Sequence, residues 1–336
     1  MMRLHAAALC VLLHAVRAEF TPLLSHFRVV LVAPSQPGNV GVISRSCANF
    51  ECPSLHIVDP QYDRSDAEAS SYERRFAVQE QALSLLRNAE VHETLSDALA
   101  DCTAAVAFTR RRGVDRMETA NVVAVGGLAE LGDQVVRDGG SQIALVFGRE
   151  ASGLLSSEVL ECTHVCEIAT SAVQGSMSLP SAATFALGRT FEEALAAEEA
   201  QSSADGGTDA LRPLGGDTTN LRAARHRPRA TAGGSDTPST EPGQGRSRAA
   251  TLATLEEVRR FVDRWEQLTT ASDEIEDGAS TSGWVRTSRG ARPATTHGRA
   301  TLMLRRILHR ARPTSRELRA LHGVLGALER ERSDVA

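Results

Sequence analysis

The stretch "ALVFGREASGL", residues 144–154, runs a buried strand straight into charge. Ala144 to Phe147 reads as strand, Gly148 stops it, and Arg149 and Glu150 follow at once. Burying either charge unpaired would cost several kcal/mol, so the pair is held in a site or faces one. The strand of this stretch, "IALVFG" (143–148), is one of six apolar runs, with "VVLVAP" (29–34), "LHIVDP" (55–60), "AAVAF" (104–108), "VVAV" (122–125) and "HVCEIA" (164–169). Amphipathic stretches such as 73–90 and 94–102 separate them. Short β-rich runs alternating with helices predict an α/β domain with a mostly parallel sheet and helices on both faces. Ligands of such sheets gather outside the carboxyl ends of the strands. "PSQPGNVG", "GRE" and the loop after Ile168 all fall there.

The chain has 336 residues, 42% of them apolar, enough for one sizeable domain and a smaller one. All 37 basic residues are arginine. Between Arg286 and Arg332 twelve arginines stand against three acids, a segment charge of about +9 in a chain of net −5. That asymmetry is the footprint of a polyanion-binding module attached to a more acidic body. The first 27 residues, "MMRLHAAALCVLLHAVRAEFTPLLSHF", start basic, turn apolar and carry small residues near Ala18, as a targeting leader does. The run is too short and too broken by histidine to span a membrane. Removal near Ala18 would leave Cys47, Cys52, Cys102, Cys162 and Cys166, an odd and unevenly spaced set that makes a poor disulfide framework. Reduced thiols together with a leader point to an organelle, plastid or mitochondrion, or to the cytoplasm if the leader is not functional.

After the α/β domain, 28–200, residues 201–250 are rich in Gly, Ser, Thr, Asp, Pro and Arg without apolar periodicity, and read as a disordered linker. Residues 251–336 then form a basic helical domain. Leu252, Leu255, Val258, Val262, Trp265 and Leu268 recur at helical spacing, and a polar insert, 271–298, interrupts the domain. "RATLMLRRILHRA" gives a second helix ended by Pro313, and Thr314 with Glu317 forms a capping box for a third, whose apolar stripe is Leu318, Leu321, Leu325 and Leu328.

Two loops besides "GRE" carry chemistry. In "PGNVGVISRSCANF" (37–50) Gly38 and Gly41 flank Asn39, with Arg45 one to two turns into a following helix. A glycine turn feeding a helix N-terminus suits an anion or nucleotide. In "GSMSLPSAATFALGRTFEEAL" (175–195) Ser176 and Ser178 precede a helix with Pro180 in its first turn, and either serine could simply cap it.

In this order and spacing, "PGNVGVISR", "ALVFGREASGL" and "SMSLPSAA" resemble the three motifs of the SPOUT-class (SpoU superfamily) RNA 2′-O-methyltransferases. "TLSDALADCTAAVAFTRRRG" (94–113) and "LRRILHRARPTSRELRALHGVLGALE" (304–329) resemble segments of the TrmJ-like tRNA methyltransferase branch. The resemblance spans about 28–200 and 252–330. It implies a trefoil-knotted α/β domain that works as a homodimer, with S-adenosyl-L-methionine as cofactor and tRNA as partner. The acceptor it implies is a ribose 2′-OH at position 32 of the anticodon loop, on cytidine or uridine.

By the same resemblance the cofactor contacts fall on Phe108, Thr109, Arg110, Gly148, Ile168, Gly175, Ser176 and Met177. The catalytic set is Arg45, Asn39, Ser176 and Glu150. Arg45 would orient and stabilise the developing alkoxide, because a guanidinium stays charged. Asn39 would position Arg45 or its loop, Ser176 would shape the cofactor pocket, and Glu150 would order the first motif. Gly148 would let the cofactor approach the backbone. No metal is expected, since the leaving group is a neutral thioether and no His/Cys cluster has ligand spacing. Motif three has Met177 and Ser178 where the family usually has Leu and Asn, and "FTRRR" adds charge at the cofactor loop. A catalytically impaired RNA-binding protein of the same fold is therefore the second reading. A dinucleotide-dependent oxidoreductase would need a Gly-x-Gly-x-x-Gly turn, which is absent.

Overall fold

The computed structural model describes residues 22–110, 121–204, 251–273, 284–287, 290–293 and 296–335. Residues 1–21 of the expected leader, 205–250 of the expected linker and 274–283 of the polar insert lie outside them. The larger compact unit comprises Leu23–Ala196 and Ala249–Ala336.

Seven strands build its sheet: β1 (Phe27–Val32), β2 (Ser54–Val58), β3 (Glu90–His92), β4 (Cys102–Phe108), β5 (Asn121–Val123), β6 (Gln142–Phe147) and β7 (His164–Cys166). Their order is β3-β2-β1-β6-β4-β7-β5, and every pairing is parallel. Strands covered on both faces read as near-continuous apolar runs; β1, "FRVVLV", is buried at all six positions, its one charge, Arg28, paired with Asp101 at 2.6 Å. Successive side chains alternate between faces. Val29, Leu31, Leu145 and Phe147 enter one core, while Val30, Val32, Ala144 and Val146 enter the other. Each fully buried aliphatic side chain contributes about 1.5–3 kcal/mol relative to exposure.

Around the sheet stand α1 (Pro37–Asn49), α2 (Ala67–Ala77), α3 (Glu80–Arg87), α4 (Leu95–Ala98), α5 (Leu128–Arg137), α6 (Ser156–Glu161) and α7 (Leu179–Ala204). Several local expectations are corrected. The stretch 73–90 is two helices, broken where Val78 adopts φ 61°, followed by the short strand β3. The fold begins before residue 28: Leu24 is fully buried, and the Leu23 N–H donates to Glu51 Oε2 at 3.0 Å. At the other end α7 runs to Ala204, past the expected boundary at 200.

The C-terminal part consists of α8 (Leu255–Asp273), the antiparallel pair β8 (Trp284–Thr287) and β9 (Gly290–Pro293), α9 (Thr296–Ala311) and α10 (Ser315–Val335). A strand pair therefore stands inside the stretch read as a plain polar insert. The Thr314 cap forms as spelled: Thr314 N–H donates to Glu317 Oε2 at 2.7 Å, and Glu317 N–H to Thr314 Oγ1 at 3.2 Å. A second such box joins Thr254 and Glu257. The stripe of α10 divides, with Leu318 and Leu325 buried against α8 while Leu321 and Leu328 are exposed. Nor are these helices set apart from the sheet. Leu255 packs in the second core, Glu256 N–H donates to Ala100 O at 3.3 Å, and Arg312 pairs with Asp138 at 3.2 Å. No helix among the described residues is long and apolar enough to cross a membrane.

Two histidines are buried in the sheet, His56 on β2 (3% exposed) and His164 on β7 (7%). Burial first, and then Arg28 for His56 and Arg312 for His164, lowers each from the usual 6.5 to about 4. Protons bind the unfolded chain from pH 6.5 downward, while the folded chain resists until about 4. The stability each neutral imidazole carries is therefore complete above pH 6.5 and lost as pH falls towards 4, on the order of 3 kcal/mol apiece. The thermal midpoint is expected to start falling near pH 6.5, above the carboxylate range. A midpoint level between pH 7 and 5 would contradict this.

Candidate functional site

The carboxyl ends of β6, β4 and β7, neighbours in the sheet, open into a cavity of about 410 Å³. That volume lies within the range of small-molecule sites. Phe108 ends β4 and Phe147 ends β6, and their rings stack with centroids 4.3 Å apart and planes 14° from parallel. They make an apolar wall. Ile168 after β7, with Leu179 and Ala182 of α7, continues the apolar surface, and Thr109 N–H ties the β4 loop to Cys166 O at 3.1 Å.

All eight residues expected at the cofactor line this one cavity: Phe108, Thr109, Arg110, Gly148, Ile168, Gly175, Ser176 and Met177. They come from three loops separated by tens of residues. Arg110 bridges two of them, its guanidinium lying where a Cβ on Gly175 would have to go. Thr170 Oγ1 donates to Gly175 O at 2.9 Å and secures the third loop. Thr170, Leu179 and Ala182 were missed in the sequence, and the apolar start of α7 was the one signal that could have suggested the last two.

The opening charge pair separates. Arg149 turns to α6, its Nη1 2.9 Å from Glu158 Oε1, and Glu158 Oε2 also accepts the Leu155 N–H at 2.6 Å. Glu150 turns to the start of α1. It accepts from Ser35 N–H at 3.1 Å, Ser35 Oγ at 3.0 Å, Gln36 N–H at 3.3 Å and Asn39 Nδ2 at 2.9 Å. A carboxylate there satisfies N–H groups that the helix leaves free and complements its dipole. Burial alone would raise the Glu150 carboxyl, but the hydrogen bonds from Asn39, its own backbone and Ser35 outweigh it and hold the group below the ordinary carboxylate value.

The glycines differ from their expected roles. Gly38 and Gly41 are not a turn before the helix, because α1 starts at Pro37 and contains both. They let α2 close on α1: a Cβ on Gly41 would collide with Glu73 O, and one on Gly38 would come within 2.8 Å of Tyr72 Cε1. Gly148 likewise answers to the chain itself. A Cβ there would strike the backbone of Gly153 and Leu154, which folds back over it through Gly153 N–H to Arg149 O at 2.8 Å and Gly153 at φ 64°. Ser178 caps α7, its Oγ 2.7 Å from Ser181 Oγ and accepting the Ser181 N–H at 3.3 Å. Asn39 and Arg45 do not line the cavity; Asn39 reaches it through Glu150, and Arg45 is exposed on α1.

The five expected cysteines are free and buried. Sequence spacing suggested no metal cluster, yet the sheet brings His56, His92 and Glu90 together. The two imidazoles bond each other, Nδ1 to Nε2, at 2.9 Å, with Glu90 Oε2 4.0 and 3.8 Å away, at an edge of the sheet remote in sequence from the cavity loops.

A parallel sheet with this cavity at its carboxyl ends defines a class. Residues 26–188, the sheet domain, match the model of the SpoU rRNA Methylase family. Named TrmJ proteins are similar to the chain as well. It is 25% identical over 310 residues to the tRNA (cytidine/uridine-2′-O-)-methyltransferase TrmJ of Klebsiella pneumoniae, covering 92% of this chain and 98% of that protein. With the tRNA (cytidine-2′-O-)-methyltransferase TrmJ of Methanocaldococcus jannaschii it shares 33% over 143 residues, 43% of this chain and 57% of the other. The crystal structure of TrmJ from Z. mobilis ZM4 has the same fold, with TM-score 0.60 and 19% identity over 90% of this chain and 98% of that one.

Proposed function

We propose that this protein is an S-adenosylmethionine-dependent tRNA ribose 2′-O-methyltransferase, acting on cytidine or uridine at position 32 of the anticodon loop. The observation that carries the reading is the convergence of the eight expected cofactor residues on one cavity, tied through Glu150 to the helix that bears Arg45. The residues fit the cofactor's chemistry. The Phe108–Phe147 wall and Ile168 suit a purine, the Arg110 fork suits a carboxylate, and Glu150 places negative charge near a sulfonium. When bound, the cofactor supplies an electrophilic methyl group on sulfur.

The protein's part is to orient the ribose and stabilise its oxygen as the proton leaves. Arg45 does this as a fixed cation, Asn39 and Glu150 hold α1 in place, and Ser176 shapes the pocket. Since Arg45 stands outside the lining of its own chain's cavity, the working form is a homodimer in which α1 of one protomer can complete the site of the other. A trefoil knot in the sheet domain and action in an organelle belong to the same proposal. Exposed Arg310, Arg316, Arg319 and Arg330 on the C-terminal helices supply charge for tRNA phosphates.

The test is methyl transfer from labelled S-adenosylmethionine to total tRNA, with the modified nucleotide mapped. Label on an anticodon-loop ribose is expected. Bound cofactor and bound tRNA without transfer would favour the RNA-binding reading instead, with Ser178 the first position to restore to Asn.

A further inference from the structure

Aromatic residues make up 4% of this chain, and most of those described are turned inward. Tyr72 (45% exposed) and Phe76 (36%), one turn apart on α2, are exposed together. Their rings meet edge to face, centroids 5.2 Å apart at 69°. Gly38 seats both, since a Cβ there would come within 2.8 Å of Tyr72 Cε1 and 3.1 Å of Phe76 Cε2. The pair thus rests directly on the backbone of α1. Gly38, Gly41 and Arg45 recur at three and four residues, so Arg45 continues the same helix face.

The surroundings are basic. Arg74 and Arg75, between the two rings in sequence, are exposed, as is Arg45. Among the described residues none of these three arginines is in an ion pair. Of the nearby acids, Asp66 caps the far end of α2 and Glu73 is buried on Arg64 and Tyr62, which leaves Glu68, one turn before Tyr72, as one exposed carboxylate against the three arginines. Exposed aromatic faces set among arginines outside ion pairs match single-stranded RNA, whose unstacked bases lie on aromatic rings while cations take the phosphates.

We propose that Tyr72 and Phe76 are a stacking platform for an unpaired nucleobase of the anticodon loop, beside Arg45, a proposal that rests on the tRNA methyltransferase reading above. The platform is sequence-tolerant, because every base presents a π-face, and it holds the loop open so that the target ribose can enter.

The full-length protein is titrated with a tRNA transcript carrying 2-aminopurine in the anticodon loop, and with one carrying an abasic loop position. Wild-type methyl transfer, cofactor binding, thermal midpoint and oligomeric mass are measured alongside. Tyr72→Leu is expected to weaken tRNA binding roughly 5- to 150-fold and to remove the 2-aminopurine quench. Cofactor affinity, thermal midpoint and mass should stay as in the wild type, while Tyr72→Phe restores binding. The loss should shrink on the abasic RNA. Phe76→Leu repeats the test from the second ring. If the wild type transfers methyl and Tyr72→Leu binds and quenches equally well, the platform alone is refuted. A variant that loses its oligomeric state makes the pair a seam between copies and also overturns it. Failure of the wild type to transfer methyl to any tRNA removes the functional reading, and the platform with it.

Discussion

An Arg45→Ala protein is expected to bind S-adenosylmethionine almost as the wild type does and to transfer methyl groups roughly 10²- to 10³-fold more slowly. The two halves of this result have separate causes. Arg45 is exposed on α1 and does not line the cavity, so its loss leaves the cofactor walls and the core intact. The rate falls because negative charge grows on the ribose oxygen during transfer, and a pre-placed cation stabilises that charge without reorganising. A guanidinium stays charged and is a poor proton acceptor, so the lost effect is electrostatic. Arg45→Lys should therefore recover part of the rate, keeping charge but not the fork. Single-turnover kinetics with cofactor binding measured in parallel would decide it. A rate near wild type would take Arg45 out of the mechanism.

Gly148→Ala is expected to destabilise the protein by about 1–3 kcal/mol and to weaken cofactor binding on the order of tenfold or more. The new methyl would meet the backbone of Gly153 and Leu154 rather than a mobile side chain, so the chain must shift. The segment that shifts carries Arg149, Glu150, Ala151, Ser152 and Gly153, all in the cavity wall. It also anchors α1 through Glu150. Both losses should appear together, in the thermal midpoint and in calorimetric titration with the cofactor. Unchanged affinity would mean that the 149–153 turn adapts without disturbing the wall.

The sheet was legible because β1, β4 and β6 are covered on both faces and so spell near-continuous apolar runs. Strand β3, "EVH", was not, since an edge strand of three residues with polar ends has no periodicity to read. The glycines of "PGNVG" were misassigned for a non-local reason. Locally they look like a turn, and only the approach of Glu73 and Phe76 on α2 explains why α1 needs them. The converse holds for the charges of "GRE". That Arg149 and Glu150 require partners follows from the cost of burial, but those partners, Glu158 on α6 and the residues opening α1, follow from the fold.

By itself the sequence determined the alternation of strands and helices, the parallel class of the sheet, the Thr314–Glu317 cap and the end of the sheet at which a ligand would sit. These depend on periodicity and on hydrogen bonds within a few residues, which local composition controls. Tertiary structure decided the remainder. It closed three distant loops into one cavity, gave Gly148 to a backbone contact, and engaged Glu150 with Ser35 and Asn39 more than a hundred residues away. It also packed the C-terminal helices onto the sheet and left Tyr72 and Phe76 exposed on α2. Such contacts depend on strand order and register, and these are set only when both faces of the sheet are buried at once.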